Sequence, residues 1–263
     1  MTIFDAFPFH DELDLLEMRL VELERIPDLK HILVEADVTH QDRPKPYFFA
    51  ENRERFAPWA DRIIHVKATG LPTIADDPDP WARELAQRTF ITQGLVGAAN
   101  DDLLMQSDVD EIPHPLLVRN LRLHPGSGFV AFRQRGHFWA VDWEYPPGWS
   151  GTVAVRLGDF DGNMPRMRSM RNLVRQLGQV NGGRPTGGWH FSWLGGRERA
   201  LQKVGSFCHP EVEERIVRGL DEDTFLRHGW HVDGVRMVPV EVDKSWPRWI
   251  VEGHAPAAWY RLR

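Results

Sequence analysis

The run Asp108-Val109-Asp110-Glu111 follows the apolar Leu103-Leu104-Met105 and stops two residues later at Pro113. Carboxylates collected at the end of an apolar segment are costly unless something positive compensates them. On an extended chain, residues i and i+2 share a face about 6.6 Å apart, so Asp108 and Asp110 are expected to address one ligand. A hard divalent cation suits them, because it takes oxygen ligands at roughly 2.0–2.2 Å and bridges carboxylates to substrate phosphates. Mn²⁺ or Mg²⁺ held against a nucleotide diphosphate fits this chemistry. Two aspartates in a turn are more often solvated or capping residues; the apolar run before them and the third carboxylate raise the metal reading above that alternative.

Other side chains suit the same chemistry. Lys45 in Arg-Pro-Lys-Pro-Tyr-Phe-Phe is a point charge able to meet a phosphate, or else an exposed loop lysine. His190 in Gly-Trp-His-Phe-Ser-Trp offers an imidazole to a metal or phosphate; the plainer alternative is a hydrogen-bonded core residue. Among the 11 tryptophans, Trp143 and Trp149 flank a Pro-Pro-Gly loop and are the better candidates for an acceptor site, since the others fill a core equally well. Cys208 is the single cysteine, which excludes an intrachain disulfide or a multi-cysteine zinc site; it reads as a buried small hydrophobe.

The elements that must position these residues alternate strand and helix. Thr2–Phe7 reads as a strand, and Asp11 as the cap of a helix whose Leu13, Leu16, Leu20 and Leu23 recur at helical spacing. His31–Ala36 and Arg62–Lys67 read as buried strands, Trp81–Val96 as a helix, and Asp102–Ser107 as a short strand ending at the carboxylates. This pattern predicts βα units around a largely parallel sheet, in which ligands bind beyond the carboxyl ends of strands. Downstream, Gly128–Val141 and Gly151–Gly158 read as longer antiparallel strands joined through the loop Tyr-Pro-Pro-Gly-Trp-Ser-Gly. Residues 75–81 and 179–189 are expected to be mobile loops.

At 263 residues, with 42% hydrophobic residues and no repeat or long linker, one mixed α/β domain is the simplest expectation, a nucleotide-binding part over about 1–112 and an acceptor-side part over about 113–263. The net charge of −6 argues against a general nucleic-acid binder. No run approaches the 18 to 20 apolar residues of a membrane span, so a soluble, cytoplasmic protein is expected.

The segments Phe4–Leu23, Ile32–Phe49, Gln87–Leu95, Asp108–Pro113 and Gly188–Gly196 together resemble glycosyltransferase family 17, which includes β-1,4-mannosyl-glycoprotein β-1,4-N-acetylglucosaminyltransferases. The likeness runs from about residue 3 to 230. It implies a GT-A-like nucleotide-sugar fold, a divalent metal held by Asp108 and Asp110 against a UDP-sugar, and transfer with inversion to a glycan or other acceptor hydroxyl, with N-acetylglucosamine as the sugar. The family's opening motif falls on Glu12, Asp14 and Arg19, its second-strand glutamate on Glu35 and its helix arginine on Arg88, all of which would surround the nucleotide; the alternative for Arg19 and Arg88 is ordinary ion pairing. Glu111 matches the acidic residue after the aspartates, and His209 resembles the late histidine that completes the metal shell in many GT-A enzymes.

Inversion needs a general base near the acceptor hydroxyl. Glu111, Asp142, Glu144 and Glu211 are candidates, and Glu111 is favoured because it belongs to the matched motif. The rival readings are a metal-dependent phosphoesterase or nucleotidyltransferase, which also uses acidic clusters, and a non-catalytic nucleotide- or carbohydrate-binding module.

Overall fold

The first strand, β1 (Ile3–Phe9), is apolar at nearly every position, as a strand flanked by two parallel neighbours and covered on both faces must be. Those neighbours are β2 (Leu29–Ala36) and β4 (Leu103–Gln106); β3 (Ile63–Ala68) extends the same parallel half. The computed structural model describes residues 1–180, 183–206, 208 and 224–261.

After β4 the chain turns through β5 (Glu111–Pro113) and α4 (Pro115–Leu123). It then forms β6 (Val130–Phe138), β7 (Trp143–Arg156), β8 (Arg175–Leu177) and β9 (Gly188–Ser192), with the two-residue β10 (Val238–Pro239) pairing on β7. The main path of the sheet is β3-β2-β1-β4-β7-β6-β9-β5. Strand β7 lies antiparallel between β4 and β6, so the later half continues the sheet of the earlier half. A parallel βα half is extended, after an acidic turn, by a mixed half in which β7 runs antiparallel to β4 and β6, β6 pairs parallel with β8 and β9, and β5 closes antiparallel on β9; this is the expected mixed GT-A-like architecture flanked by helices.

The helices that matter for the site are α1 (Leu13–Leu23) and, in chain order, α2 (Phe48–Glu51), α3 (Pro80–Thr89), α5 (Met164–Ser169) after α4, α6 (Gly196–Val204) and α7 (Arg248–Val251). Alternation along β1 sets the two faces of the sheet: Phe7 and Phe9 pack with Leu16 and Leu20 of α1, whereas Phe4 and Ala6 belong to the cluster holding Met164 and Met167 of α5.

Several local expectations are corrected. The N-cap position of α1 is Glu12 and carries no side-chain cap hydrogen bond; Asp11 instead pairs with Arg199. The helix expected over 81–96 ends at Thr89 and tightens into a 3₁₀ segment over Phe90–Leu95. There Gly94 packs so closely on Ile32 that a Cβ would lie 2.5 Å from its side chain. Tyr145–Gly151, expected as a loop, is part of β7, whose register against β6 shifts at two points to absorb the extra residues. Within 179–189, β9 begins at Gly188, whose φ of 128° leaves no room for a side chain: a Cβ would stand 2.1 Å from the Ile112 carbonyl oxygen.

Candidate active site

The acidic run leaves β4 as a turn, not as an extended strand: the Glu111 amide donates to the Asp108 carbonyl (3.0 Å), and the Asp108 amide to Glu111 Oε2 (2.8 Å). The expectation that Asp108 and Asp110 share one strand face therefore fails, and the two face different partners.

Asp108 is held between two arginines. Arg88, on the buried side of α3, contacts its Oδ1, and Arg168 of α5 contacts its Oδ2 at 2.7 Å. Burial alone would raise the Asp108 pKa, but Arg168 and Arg88 outweigh it and hold the carboxyl well below the usual range. Asp110 has the opposite balance. Its nearest cation is Lys203 of α6, at 3.4 Å, and burial together with the Asp108 and Glu111 charges pushes its pKa up to about 7. Asp110 Oδ1 is buried without a hydrogen-bond partner, with His190 Nε2 at 3.6 Å.

Strand pairing brings His190 there: β5 runs antiparallel to β9, and Glu111 lies opposite His190. The imidazole stacks on Trp149 (centroids 4.4 Å, interplanar angle 20°) and meets the edge of Phe138. Burial pushes its pKa down to about 3, so it stays neutral near pH 7, the form that ligates a metal. Trp149 also donates to Glu111 Oε1 at 2.6 Å, and the Arg171 guanidinium lies 5.2 Å from its ring.

Glu111 does not have the setting of a general base. Its side chain is fully buried, and Arg168 contacts both oxygens at 2.6 and 2.8 Å. Burial would raise its pKa, but Arg168 outweighs this and lowers it, which removes basicity as well as access. Glu111 positions the turn. Asp142 is tied to Arg261, and Glu144 to Arg135 and Arg184; Glu211 and His209 lie outside the described residues.

Arg19 lies beneath the acidic turn, whereas Glu35 is buried in β2 among partners of its own. Arg19 is fully buried and donates to Asp5, to Ser107 Oγ (2.6 Å) and to the carbonyls of Asp108, Val109 and Glu111. It is the internal scaffold of the acidic turn. Glu35, also buried, accepts from the Phe49 amide and His65 and lies 3.7 Å from Lys45. Glu12 accepts the amides of His10 and Asp11 at the start of α1, and Asp14 pairs with Arg55. Trp143 is a core residue, donating to the Leu226 carbonyl, whereas Trp149 belongs to the site.

The residues that sequence reasoning missed are Arg168 and Lys203. Neither stands in a spaced motif; each arrives on a helix, α5 or α6, that follows a strand of the later half. Among the described residues no three His, Cys, Asp or Glu side chains are grouped to hold a metal. A cation here would thus take one or two protein carboxylates and complete its shell from phosphate and water, as Mg²⁺ commonly does. The unpartnered Asp110 oxygen and its raised pKa fit that requirement. No helix among the described residues is long and apolar enough to cross a membrane.

Comparison with solved structures finds distant likeness to a nucleotidyl transferase from Methanothermobacter (14% identity, 82% of this chain and 97% of that one, TM-score 0.35). A Desulfovibrio desulfuricans protein described as a nucleotide-diphospho-sugar transferase is similarly distant (12%, 85% and 96%, 0.36). So is the 2-C-methyl-D-erythritol 4-phosphate cytidylyltransferase of Francisella tularensis (12%, 73% and 90%, 0.35). No protein of curated function matches. The model of glycosyltransferase family 17 matches residues 1–152, which take in the acidic turn, Arg88 and Trp149 but not Arg168, His190 or Lys203. With that match spanning more than half of its 263 residues, the chain belongs to glycosyltransferase family 17.

Proposed function

We propose that this glycosyltransferase uses a UDP-sugar, with N-acetylglucosamine as the sugar, and a divalent cation, and that it inverts the anomeric centre. The observation that carries the reading is two unsatisfied buried atoms at the acidic turn: Asp110 Oδ1, an acceptor, and Nη1, a donor, of the Arg88 that pairs with Asp108. Buried polar atoms without partners are rare and costly. A cation–diphosphate pair supplies both missing partners, a positive centre for the aspartate and an anionic oxygen for the guanidinium.

Asp110, with the neutral His190 beside it, would hold the cation, and Asp108, clamped by Arg88 and Arg168, would shape the turn that presents Asp110. When bound, the cation would neutralise the charge that develops on the departing diphosphate. The chain's own part is positional. Arg19 holds the carbonyls of the acidic turn, Arg168 compensates Asp108 and Glu111 together, and Trp149 keeps Glu111 and His190 in register. Arg88 and Arg171 add positive charge where phosphate oxygens would lie. Lys45, paired with Glu35 and over the Phe48 ring, is a further cation able to meet a phosphate.

Calorimetry with UDP, with and without Mn²⁺, tests the reading. Binding is expected to need the cation and to be lost in Asp110→Asn, which removes the charge but keeps the shape. Equal affinity of wild type and variant, with or without EDTA, overturns it. Turnover across a set of UDP-sugars then reads the donor, with UDP-N-acetylglucosamine expected to be fastest.

A further inference from the structure

Transfer with inversion needs a base at the attacking hydroxyl, and the described carboxylates expected in that role are engaged: Glu111 with Arg168, Asp142 with Arg261, Glu144 with Arg135 and Arg184. A histidine–aspartate pair lies on the same face of the sheet as His190. We propose that His231 Nε2 takes the proton of the attacking hydroxyl, and that Asp233 and Tyr145 hold the imidazole for it; the proposal rests on the UDP-sugar reading above.

Strand register fixes the placement. Tyr145 of β7, Gly136 of β6, His190 of β9 and Glu111 of β5 stand opposite one another in one row, so they share a face of the sheet. Two strand spacings, roughly 10 Å, separate Tyr145 from His190. The Phe138 ring floors that interval: a Cβ on Gly136 would lie 3.3 Å from it, and its centroid is 5.1 Å from that of His190 and 4.3 Å from that of His231. A tight hairpin delivers His231. Strand β10 pairs with Trp143 and Glu144, next to Tyr145. Just before β10, Trp230 bridges Arg236, and the His231 amide donates to the Val235 carbonyl at 2.9 Å. Gly234 makes the turn at φ 87°. The imidazole therefore packs on Tyr145 (centroids 4.8 Å) and stands one ring away from His190.

The contacts of the pair suit a base. His231 Nδ1 lies 2.8 Å from Asp233 Oδ1, and the Tyr145 hydroxyl donates to Asp233 Oδ2 at 2.6 Å. The Asp233 amide approaches the same ring nitrogen only at 3.4 Å, a weaker contact. Nδ1 thus carries the proton and Nε2 the lone pair. Among the described residues Nε2 has no partner, and it is not one of the buried polar atoms left without one, so it is open to solvent. Burial lowers the imidazole pKa against the pull of Asp233, which keeps the ring neutral near pH 7. Tyr145, pushed up to about 12 by burial and Asp233, retains the proton it donates. In the transfer, the acceptor oxygen bonds to the anomeric carbon as the bond from that carbon to the diphosphate oxygen breaks. UDP leaves with the electron pair, the hydroxyl proton passes to Nε2, and Asp233 stabilises the imidazolium.

UDP release from UDP-N-acetylglucosamine, UDP-glucose and UDP-galactose, with water or chitobiose as acceptor, tests the proposal beside calorimetry with UDP and Mn²⁺. His231→Gln keeps a polar side chain without a titrating nitrogen. It should lower kcat by about 10²–10⁴-fold, the usual contribution of a general base, and leave the donor KM and the UDP–Mn²⁺ affinity unchanged. Asp233→Asn should lower kcat at least about tenfold by releasing the tautomer, and Tyr145→Phe by less than either. A kcat for His231→Gln within tenfold of wild type, or a loss of UDP affinity as large as the loss of kcat, overturns the proposal and leaves the donor reading intact. If His231→Gln does not fold, Asp233→Asn, in the exposed turn, decides: an unchanged kcat overturns the proposal. A wild type that binds UDP–Mn²⁺ yet releases UDP from none of the sugars overturns the base alone; one that does not bind UDP overturns the donor reading, and the base falls with it.

Discussion

Replacing Arg19 should damage the site from below. Arg19→Lys keeps a positive charge near Asp5, but an ammonium lacks the planar fork that reaches Asp5, Ser107 and three carbonyls at once. Of those carbonyls, Glu111 also accepts from Thr152 (3.3 Å), and the Val109 contact is long at 3.3 Å. The loss therefore amounts to one or two unsatisfied buried groups, or about 2–4 kcal/mol, and a fall in Tm on the order of 10 °C. Arg19→Met goes further, because it strands a fully buried Asp5 with only His31 beside it; breaking a buried pair on one side costs about 3–5 kcal/mol.

The pH dependence separates the charge from the packing. Burial would raise the Asp5 pKa, but Arg19 and His31 outweigh it and the folded value lies well below the ordinary carboxylate range. The stabilisation is thus complete above that range and is lost progressively as pH falls below it and through the depressed folded value. In Arg19→Met, burial acts with less opposition, so acid protonates Asp5 early and the stability gap to wild type narrows as pH falls. Urea unfolding from neutral pH down to the carboxylate range measures both curves. Asp5→Asn combined with Arg19→Met should recover part of the loss, since no unpaired charge remains. A cost below about 1 kcal/mol for Arg19→Met, or no recovery in the double variant, refutes the reasoning.

Further outcomes follow from individual contacts. Gly151→Ala should destabilise the protein by about 1–3 kcal/mol, an overpacking cost, and weaken UDP–Mn²⁺ binding, since its Cβ would lie 1.9 Å from Gln134 Oε1 and 3.0 Å from Glu111 Cδ; urea unfolding and calorimetry read the two effects. Trp149→Phe keeps a ring on His190 but deletes the donor to Glu111, and should cost about 1.5–3 kcal/mol, checked by chemical denaturation. His190 should show no protonation between pH 5 and 8 in imidazole NMR, because burial depresses its pKa to about 3. His190→Ala should reduce UDP-sugar turnover by a larger factor than it lowers Tm; a variant with lost stability and normal turnover would make His190 purely structural.

The parallel half of the fold was legible because its strands are short apolar runs and α1 repeats leucine at helical spacing, both consequences of local periodicity. Asp108, Asp110 and Glu111 were legible as a cluster for the same reason: they are contiguous, and unpaired charge after a buried strand demands an explanation. Their division of labour was not. Which aspartate is compensated depends on Arg88 and Arg168, 20 and 60 residues away, and which is left short of a cation depends on Lys203 of α6. Glu111 could read as a base from its motif, yet closure of β5 on β9 and the arrival of α5 buried it against Arg168. The same sheet closure set His190 beside Asp110 and Trp149 beneath it. Residue type and spacing alone determined that a carboxylate turn ends a buried strand; burial and charge pairing, which sum over elements distant in the chain, could be decided only by the tertiary structure.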